Sequence, residues 1–587
     1  MPRLDPHSYT DSSQPITSSF SLRARVDFAS SVVAATVTLS LSTPASAQGP
    51  LDLDTRDLTI AAVTDEEGAP LPWVLSPAEP ILGSRLRITL SLGARAVTIS
   101  YTTSPHASAL QWLSAAQTAG GKQPFLFSQC QAIHARSVVP LQDTPRVRVT
   151  YTAQLTVPVQ LRGLMAAAHR GREVQGEVAV ESWEMPQPIA PYLLALAVGE
   201  LASRELGPRT AVFAEPSVVD SAAYEFADAE AMIATAEKLF GPYDWERFDI
   251  LVMPPSFPYG GMENPRLTFL TPTLLAGDRS LVNVLAHELA HSWTGNLVGA
   301  GDAEHFWLNE GFTVFAERRI IEALEGKESA ALHAAIGRLD LERACAALPP
   351  ELTRLRTHLA GVDPDEAFSK VPYEKGYLFL RALEEAAGGC EAFNVFLSKY
   401  IQEYKWKTLT SEDFEKFARA NLPLAGAAAS VDMGAWLDGP GIPPGAPHPS
   451  SARLDAVVAA ALAPEPPLRT ATGAWGPTEW VLYLERLPRP APVALCAALD
   501  ERFGLTASTN MEVCASWLQV ALYAGHAPAV PRVEGVLRSV GRMKYLKPLY
   551  RALMERPETR DLARRCFAAS SPSLHPIARA VIEPMVK

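Results

Sequence analysis

The chain has 587 residues, too many for one hydrophobic core, and this length predicts about three or four domains. Hydrophobic residues make up 48% and charged residues 20%, values typical of a globular protein. The net charge is −12, from 52 basic and 64 acidic residues, which argues against nucleic acid as a partner. No apolar run reaches the length of about 18 residues that a membrane-spanning helix needs.

The six cysteines are sparse and never form a CxxC pair. This pattern disfavours both a disulfide framework and a cysteine zinc site, and it predicts reduced, buried thiols. We therefore expect a cytoplasmic protein, and we expect it to be monomeric. The cysteines are Cys130, Cys345, Cys390, Cys496, Cys514 and Cys566.

Residues 1–200 have a strand-like pattern almost throughout. In segments 85–103 and 146–166, apolar and polar residues alternate with a period of two, and Gly, Pro and Asp interrupt the alternation. This pattern is typical of antiparallel strands with one buried face. We predict an antiparallel β domain over residues 1–200.

The segment 29–47 has a second interpretation. The apolar run 29–42, the upstream residues Arg23 and Arg25, and an A-x-A pattern at 45–47 imitate a secretory signal. However, acidic residues precede the run, and its Val, Thr, Ser and Leu residues alternate as in a β-strand. We favour the strand and keep the signal peptide as the alternative.

The pattern changes to helix at about residue 222, where apolar residues recur at intervals of three and four. Each helical segment ends near a glycine that can cap a helix C-terminus. The segments are AAYEFADAEAMIATAEKLFG (222–241), SLVNVLAHELAHSWTG (280–295) and HFWLNEGFTVFAERRIIEALEG (305–326). We predict that this second domain covers residues 201–437.

The segment DGPGIPPGAPHPSS (438–451) separates this domain from the rest of the chain. It contains five prolines, three glycines and almost no bulky residues, which predicts a linker. Residues 452–587 follow as short amphipathic segments rich in Ala and Leu. They predict a helical repeat or bundle, although no clean sequence period is present.

The pentad HELAH (287–291) lies within a predicted helix. Residues four apart share a helix face, so His287 and His291 can converge on one ion. Zinc accepts imidazole nitrogen and carboxylate oxygen, and Glu288 is placed to act as the general base. The alternative is two core histidines on a helix beside a solvated glutamate.

A second acidic residue, Glu310, argues against the interpretation as core histidines. Eighteen residues separate His291 from Glu310, which lies in the next predicted helix, so an antiparallel hairpin would return Glu310 to the ion. Asn309 and Glu310 are polar groups among apolar neighbours, which requires a partner. We predict one zinc ion per chain, bound by His287, His291 and Glu310.

Together, HELAH-x18-E and the upstream GGMEN (260–264) resemble the gluzincin aminopeptidases of the aminopeptidase N type. The longer stretch GGMENPRLTFLTPTLLAGDRSLVNVLAHELAHSWTGNLV resembles more narrowly the leukotriene A(4) hydrolase and aminopeptidase B branch. The likeness covers nearly the whole chain, from about residue 21. It implies a saddle-like N-terminal β domain, a thermolysin-like catalytic domain and a C-terminal helical domain, with the active site in the cleft between them.

The resemblance also implies roles for single residues. Glu263 matches the glutamate that binds the α-amino group of the substrate, and Gln131 matches a glutamine beside it. Tyr373 matches the tyrosine that stabilises the oxyanion of the tetrahedral intermediate, and a phenol can donate the required hydrogen bond. Without the resemblance, Tyr373 is interpreted as a packed tyrosine and Gln131 as a polar residue on an exposed strand face.

Further residues of the GGMEN region are expected to contact the substrate. Gly260 and Gly261 match glycines whose backbone lines the substrate's path, and a plain turn is their alternative interpretation. We include their neighbours Tyr259 and Met262 among the substrate-binding residues.

Arg542 and Lys544, in GRMK, match a basic pair that binds a substrate carboxylate. A solvated basic surface is the alternative. Asp365 matches an aspartate used in the epoxide reaction of leukotriene A(4) hydrolase and in peptide positioning. Three residues later this chain has Phe368 where that enzyme has a tyrosine, so a leukotriene product specificity is in doubt.

The predicted function is that of a zinc aminopeptidase acting on short peptides with a free N-terminus. Glu288 would deprotonate the water and then protonate the leaving amine. Two alternatives remain: an enzyme that mainly hydrolyses lipid epoxides, with Asp365, Arg542 and Lys544 in its site, and a scaffold without catalytic activity. The presence of all the metal ligands and of the base argues against the scaffold.

Overall fold

The N-terminal third of the chain consists of β-sheets. The computed structural model describes residue 3 and residues 5–45, 49–422, 431–463 and 465–587. The strands of this region are β1 (Thr17–Asp27), β2 (Val32–Leu41), β3 (Gly49–Thr55), β4 (Thr59–Thr64), β5 (Trp73–Leu75), β6 (Ser84–Leu90), β7 (Ala96–Thr102), β8 (Leu110–Leu113), β9 (Phe125–Ser128), β10 (Val149–Pro158), β11 (Arg162–Met165), β12 (Ala168–Gln175), β13 (Val178–Ile189) and β14 (Leu196–Gly199).

A seven-stranded sheet with the order β12-β13-β10-β1-β2-β7-β4 dominates this region. Its neighbours pair in antiparallel fashion, except for β1 and β10, which are parallel and far apart in sequence. Smaller sheets have the orders β3-β6-β5 and β11-β14-β9-β8. The predicted antiparallel β domain is therefore confirmed, with one parallel pairing added.

The segment with two interpretations forms a central strand of this sheet. Val37 of β2 pairs with Leu22 on one neighbour and with Ile99 on the other, and all three side chains are buried. Alternate residues of β2 are buried in this way, so the strand prediction for the run is confirmed. Residues 46 and 47 of the A-x-A pattern lie outside the described residues.

The central region combines a second sheet with longer helices. Its strands are β15 (Ala202–Gly207), β16 (Thr210–Ala214), β17 (Asp249–Val252), β18 (Gly261–Met262), β19 (Leu267–Leu270), β20 (Val298–Ala300) and β21 (Lys407–Leu409). Its helices are α1 (Val219–Glu225), α2 (Ala229–Phe240), α3 (Val282–Ala290), α4 (Trp307–Glu325), α5 (Lys327–Ala347), α6 (Val371–Ala386), α7 (Cys390–Tyr404), α8 (Ser411–Asn421) and α9 (Met433–Leu437).

The five-stranded sheet of this region has the order β15-β16-β17-β19-β18, which leaves the short strand β18 at its edge. Among the helices of this region, α4 and α6 touch backbone to backbone: a Cβ on Gly311 would lie 2.7 Å from the Cα of Gly376. The predicted helix over 222–241 is wrong in one respect, because α1 and α2 are separated by a turn at 226–228. There, the buried Glu225 accepts a hydrogen bond from the backbone N–H of Gly277 (2.9 Å), a contact that no local pattern predicts.

The C-terminal region is entirely helical within the described residues. Its helices are α10 (Ala452–Leu462), α11 (Arg469–Thr472), α12 (Pro477–Arg486), α13 (Val493–Phe503), α14 (Met511–Ala524), α15 (Val530–Ser539), α16 (Met543–Glu555), α17 (Arg560–Ser570) and α18 (Pro576–Val586). Alternate helices contact each other in succession, from α10 through α12, α14 and α16 to α18, while α15 packs on α17 in a second layer. This stacking is the predicted repeat-like helical domain.

Two hydrophobic cores hold the molecule together. One is continuous across the β-rich and central regions, and the other lies among the C-terminal helices and includes Leu332 of α5. All six cysteines are unpaired, as predicted, and four of them are buried. The prediction of burial is wrong for Cys345, which is half-buried, and for Cys390, which is exposed at the first turn of α7. None of the described helices has the length and apolar character needed to cross a membrane.

Candidate active site and metal centre

Helices α3 and α4 bring the two histidines of the pentad to the acidic residue of the next helix. His287 Nε2 and His291 Nε2 each lie 3.5 Å from Glu310 Oε2. One ligand atom from each of the three residues lies within 4.8 Å of the others. His291 follows the last residue of α3, and Glu310 lies in the first turn of α4.

The far side of each imidazole is fixed by a hydrogen bond acceptor. His287 Nδ1–H donates to the Glu317 carboxylate (2.9 Å), and His291 Nδ1–H donates to the carbonyl of Thr294 (3.1 Å). Because Nδ1 carries the proton in both rings, both Nε2 atoms are free to bind a cation. Glu310 Oε2 is buried, and within the described residues it has no hydrogen-bond donor. A buried, unpaired carboxylate oxygen between two imidazole nitrogens fits zinc.

The electrostatic environment of Glu310 agrees with a cation site. Burial acts to raise the pKa of Glu310, but His291 and His287 outweigh it and lower this pKa to about 2. The group is therefore a carboxylate at neutral pH, which is the form that a metal requires.

Two further carboxylates, those of Glu263 and Glu288, lie beside His291. Oxygens of Glu263 and Glu288 and a ring nitrogen of His291 lie within 4.8 Å of one another. Burial raises the pKa of both carboxyls, and that of Glu288 to about 7. The charge of a bound cation would act in the opposite direction on both groups. Glu263 and Glu288 are thus both within reach of whatever the metal centre binds.

Tyr373 completes this end of the site. Its ring stacks on the imidazole of His287, with centroids 6.1 Å apart and planes inclined by 20°. Burial, followed by the charges of Glu310 and Glu263, holds its pKa well above the usual value. The phenol is therefore protonated at neutral pH and can donate a hydrogen bond.

The GGMEN segment lies against this cluster. A Cβ on Gly261 would lie 2.3 Å from Glu288 Oε1, so any side chain there would displace the carboxylate. Gln131 donates to the Glu263 side chain (3.3 Å), and Asn296 donates to the Glu263 carbonyl (2.7 Å). The two glycines therefore give β18 a close approach to the site, which the interpretation as a plain turn does not explain.

Tyr259 and Met262 flank the glycines, and both line the cavity described below. Met262 is buried, and its sulfur accepts a hydrogen bond from Gln129 (3.1 Å). Tyr259 is half-buried and packs edge to face on Phe257, with ring centroids 5.6 Å apart.

The basic pair comes from the C-terminal helices. Arg542 precedes α16, and its Nη1 donates to Thr273 Oγ1 (3.1 Å) and to the Tyr545 hydroxyl (2.9 Å). Its Nη2 lies 3.0 Å from the position of a Cβ on Gly260. Lys544 has 58% of its side chain exposed and pairs with Glu512 (2.7 Å). The structure thus brings Arg542 beside the GGMEN segment, so the interpretation as a solvated basic surface does not fit this residue.

Asp365 and Phe368 lie on the exposed loop between α5 and α6. Arg56 Nη1 and His134 Nδ1 are 2.8 Å apart, and since a guanidinium can only donate, Nδ1 is the acceptor. His134 Nε2–H therefore donates to Asp365 Oδ2, at 2.9 Å. Phe368 is 66% exposed, and its ring meets that of Tyr373 edge to face at 5.8 Å.

Some contacts of the site were not identified from the sequence. His134 is not among the residues predicted for the site, yet its Nε2–H holds the Asp365 side chain. Glu317 was overlooked, although it lies seven residues after Glu310 and so shares its helix face, a signal that the sequence does contain. The role of Asn296 has no local signal, because its partner Glu263 lies 33 residues earlier.

All of the predicted site residues line one cavity of 1270 Å³. Residues of the β-rich region, the central region and the C-terminal helices contribute to its wall. Gln131 comes from the first of these, Glu263 and Tyr373 from the second, and Arg542 from the third. The metal centre and the basic pair are therefore two parts of one continuous space, which is the arrangement expected of an enzyme that binds an extended substrate.

The chain matches three known domain families in succession. Residues 7–193 match the peptidase M1 N-terminal domain, and residues 224–429 match the peptidase family M1 domain. Residues 475–586 match the C-terminal domain of leukotriene A4 hydrolase. The predicted three-part architecture is thereby confirmed.

Whole proteins resemble the chain over nearly its full length. It is 38% identical to the leukotriene A-4 hydrolase of Xenopus laevis over 600 residues, which cover 98% of each chain. It is also 38% identical to leucine aminopeptidase 2 of Aspergillus terreus, covering 90% of this chain and 89% of the relative. The structure of native yeast LTA4 hydrolase superposes with a TM-score of 0.93 at 34% identity, covering 99% of this chain and 97% of that one. The chain therefore belongs to peptidase family M1 and is a zinc aminopeptidase with one catalytic zinc ion and a C-terminal domain of the leukotriene A4 hydrolase type.

Proposed function

We propose that the enzyme removes single residues from the N-terminus of short peptides, and that Glu263 sets this mode of cleavage. The observation that carries the proposal is that His291 belongs to two clusters. The first contains His287 and Glu310, and the second contains Glu263 and Glu288. A carboxylate so close to the metal centre can bind the α-ammonium group of a substrate. A substrate anchored in this way has one residue between its α-ammonium group and the scissile bond.

The residues around the metal centre divide the chemistry between them. Zinc bound by His287, His291 and Glu310 would lower the pKa of water and polarise the scissile carbonyl. Glu288 accepts the proton of the attacking water and later returns it to the leaving amine. Tyr373 donates a hydrogen bond to the carbonyl oxygen as negative charge develops on it.

The other end of the cavity supports a preference for short peptides. Arg542 and Lys544 would bind the C-terminal carboxylate of a substrate such as a tripeptide, whose backbone lies along Gly260 and Gly261. The position of Arg542 Nη2 beside Gly260 supports this, because it places a guanidinium next to the substrate strand.

The amine-anchoring role is tested by comparing a tripeptide with its N-acetylated form. The parent enzyme should cleave the free peptide and reject the acetylated one, and a chelator should abolish cleavage of the free peptide. Glu263→Ala should reduce kcat/KM for the free peptide by about 10²-fold or more, because a charge-assisted anchor is lost. It should also remove most of the discrimination. Glu391→Gln, on the exposed side of α7, is the matched control. Full discrimination in Glu263→Ala would overturn the proposal.

A second candidate activity is the hydrolysis of a fatty-acid epoxide. The named leukotriene A-4 hydrolase relative favours it, and so does the exposed Asp365 carboxylate at the cavity, which His134 holds in place. Phe368 lacks the hydroxyl that the resemblance associates with lipid-epoxide contact. Comparing turnover of a fatty-acid epoxide with that of an aminoacyl anilide, in the parent and in Asp365→Asn, decides whether this activity exists.

We further propose a monomer in a reducing compartment such as the cytoplasm, with domain divisions at about residue 200 and over the linker 438–451. The unpaired state of all six cysteines supports the reducing compartment. The linker carries no described helix or strand, which supports its role as a boundary. Light scattering on the purified protein tests the monomer, and limited proteolysis tests the linker.

A further inference from the structure

The basic pair is already matched with a carboxylate from the protein itself. Glu512 lies in the first turn of α14, faces the cavity and is mostly buried. Its Oε1 accepts from the Tyr545 hydroxyl (2.8 Å) and from Arg542 Nη1 (3.3 Å), and its Oε2 pairs with Lys544 Nζ (2.7 Å). One carboxylate therefore contacts the polar ends of all three side chains.

The charge of Glu512 changes what this subsite offers to a substrate. Burial acts to raise the pKa of Glu512, but Lys544 and Arg542 outweigh it and hold this pKa below the usual value. The group is ionised at neutral pH, so the three charges sum to +1 rather than +2. Arg542 is also held by Thr273 and Tyr545, at 3.1 and 2.9 Å, so its position does not depend on Glu512 alone.

The reaction explains why a weaker subsite is useful. Removing the N-terminal residue of a tripeptide leaves a dipeptide that still carries the C-terminal carboxylate. Binding of that carboxylate is therefore equal in substrate and product. Such uniform binding lowers KM without raising kcat, and when it is too strong it delays product release.

We propose that Glu512 is a specificity-determining residue that weakens the carboxylate subsite and so allows the shortened peptide to leave. This inference rests on the proposed function, in which Arg542 and Lys544 bind the C-terminal carboxylate. It adds that the subsite is tuned for release as well as for capture.

The first test is Glu512→Gln, which removes the charge and keeps the shape. A partly exposed ion pair is worth up to about 1 kcal/mol, or roughly fivefold. KM for a tripeptide with a free carboxylate should therefore fall about fivefold, and the inhibition constant of its dipeptide product should fall by the same factor. The C-amidated tripeptide and an aminoacyl anilide should show no change. The matched control is Glu534→Gln on α15, which makes the same change in net charge beside Arg538, outside the residues that line the cavity.

The second test repeats the comparison in a Lys544→Met background. There the subsite charge is 0, and adding Glu512→Gln returns it to +1, so KM for the free tripeptide should again fall about fivefold. This pair of variants gives a result even if the single Glu512→Gln variant does not fold.

The outcomes separate this inference from the proposed function. If Arg542→Met leaves the KM ratio of free to amidated tripeptide unchanged, the carboxylate subsite itself is wrong. If Arg542→Met raises that ratio but Glu512→Gln lowers KM in neither background, the role of Glu512 is overturned. An equal fall in KM for the amidated tripeptide would overturn it too.

Discussion

The two ends of the cavity are built in different ways. At the metal end, the three proposed ligands lie between positions 287 and 310 on two consecutive helices, and Glu310 is 3% exposed. At the carboxylate end, Arg542 contacts Thr273, which is 269 residues away in sequence, and Lys544 has most of its side chain in solvent.

This difference separates two kinds of electrostatic interaction. The charges of the metal end are buried and hydrogen-bonded on their far sides, so they act through a low dielectric constant and are screened little by salt. At the carboxylate end Lys544 is mostly in solvent, so its charge contributes less and salt weakens it, although Arg542 and Glu512 are largely buried. The metal end is therefore expected to determine whether the reaction occurs, and the carboxylate end which peptides are preferred.

The largest effect is expected for the general base. Glu288→Gln should lower kcat by about 10³-fold, because the amide cannot accept the proton of water, whereas bound zinc should be retained. Tyr373→Phe should lower kcat by about 10²-fold through loss of one hydrogen bond to the developing oxyanion. Turnover of an aminoacyl anilide and the zinc content of the purified variants measure both. Near-normal turnover in either variant would remove that residue from the mechanism.

The second effect is a difference in response to acid between the histidines of the metal end and His575 of the C-terminal region. The imidazoles of the metal end donate hydrogen bonds from Nδ1. His575 packs on Phe127 of β9 and is fully buried. Among the described residues, its Nε2 has no hydrogen-bond partner. Burial, aided by Arg579, lowers the pKa of His575 to about 4. Its Nδ1 accepts from the Ile577 backbone N–H (3.2 Å), a bond that protonation would break.

The sign of the stability change follows from the two pKa values. In the unfolded chain, His575 takes up a proton below its usual pKa of about 6.5, whereas the folded protein resists protonation until about pH 4. His575 thus makes its full contribution to the free energy of unfolding above about pH 6.5, and this contribution decreases by about 3 kcal/mol as the pH falls to 4. The free energy of unfolding of His575→Gln should lack this part of the decrease. Identical pH profiles for parent and variant would contradict the assignment.

A smaller effect is expected for Glu317, which accepts a hydrogen bond from the proposed metal ligand His287. Glu317→Leu removes the acceptor of His287 Nδ1–H, so zinc affinity should fall by about 10- to 100-fold, while the zinc-saturated enzyme keeps most of its kcat. Competition with a chelator measures the affinity. Glu322→Gln, on the same helix beside Arg319, is the control and should bind zinc as the parent does. Equal zinc affinity in Glu317→Leu would show that the histidine is oriented by packing alone.

The smallest effect is expected at the carboxylate end. Arg542→Met should raise KM for a tripeptide with a free carboxylate by about tenfold at low ionic strength, and by less at high salt. KM for the C-amidated tripeptide should change little. If both substrates lose affinity equally, Arg542 supports the GGMEN strand and does not bind the carboxylate.

The sequence predicted best what depends on spacing within one element or between neighbours. Alternation with a period of two identified strands such as β2, because each strand buries one face. The i, i+4 histidines and a glutamate on the next helix identified the metal centre, because these positions converge wherever the two helices pack. A glutamate seven residues further along α4, Glu317, was accessible to the same reasoning.

What could not be predicted depends on contacts between distant segments. The turn that divides α1 from α2 involves Glu225 and a backbone group 52 residues away. The pairing of His134 with Asp365 spans 231 residues, and the bond from Arg542 to Glu512 joins two helices whose relative position no local pattern fixes. The resemblance to a family supplied the roles of Asp365 and Arg542, but it did not supply these partners.

The contact between Gly311 and Gly376 has a consequence for the motions of the site. Gly311 adjoins Glu310, and Gly376 lies three residues after Tyr373, so the two main chains meet beside both functional groups. Rotamer changes on the picosecond to nanosecond timescale cannot alter a spacing that backbone atoms define. The spacing of the main chains at the third proposed ligand and at Tyr373 can therefore change only through slower displacement of whole helices, which makes this part of the backbone a rigid reference for the more exposed loop that carries Asp365.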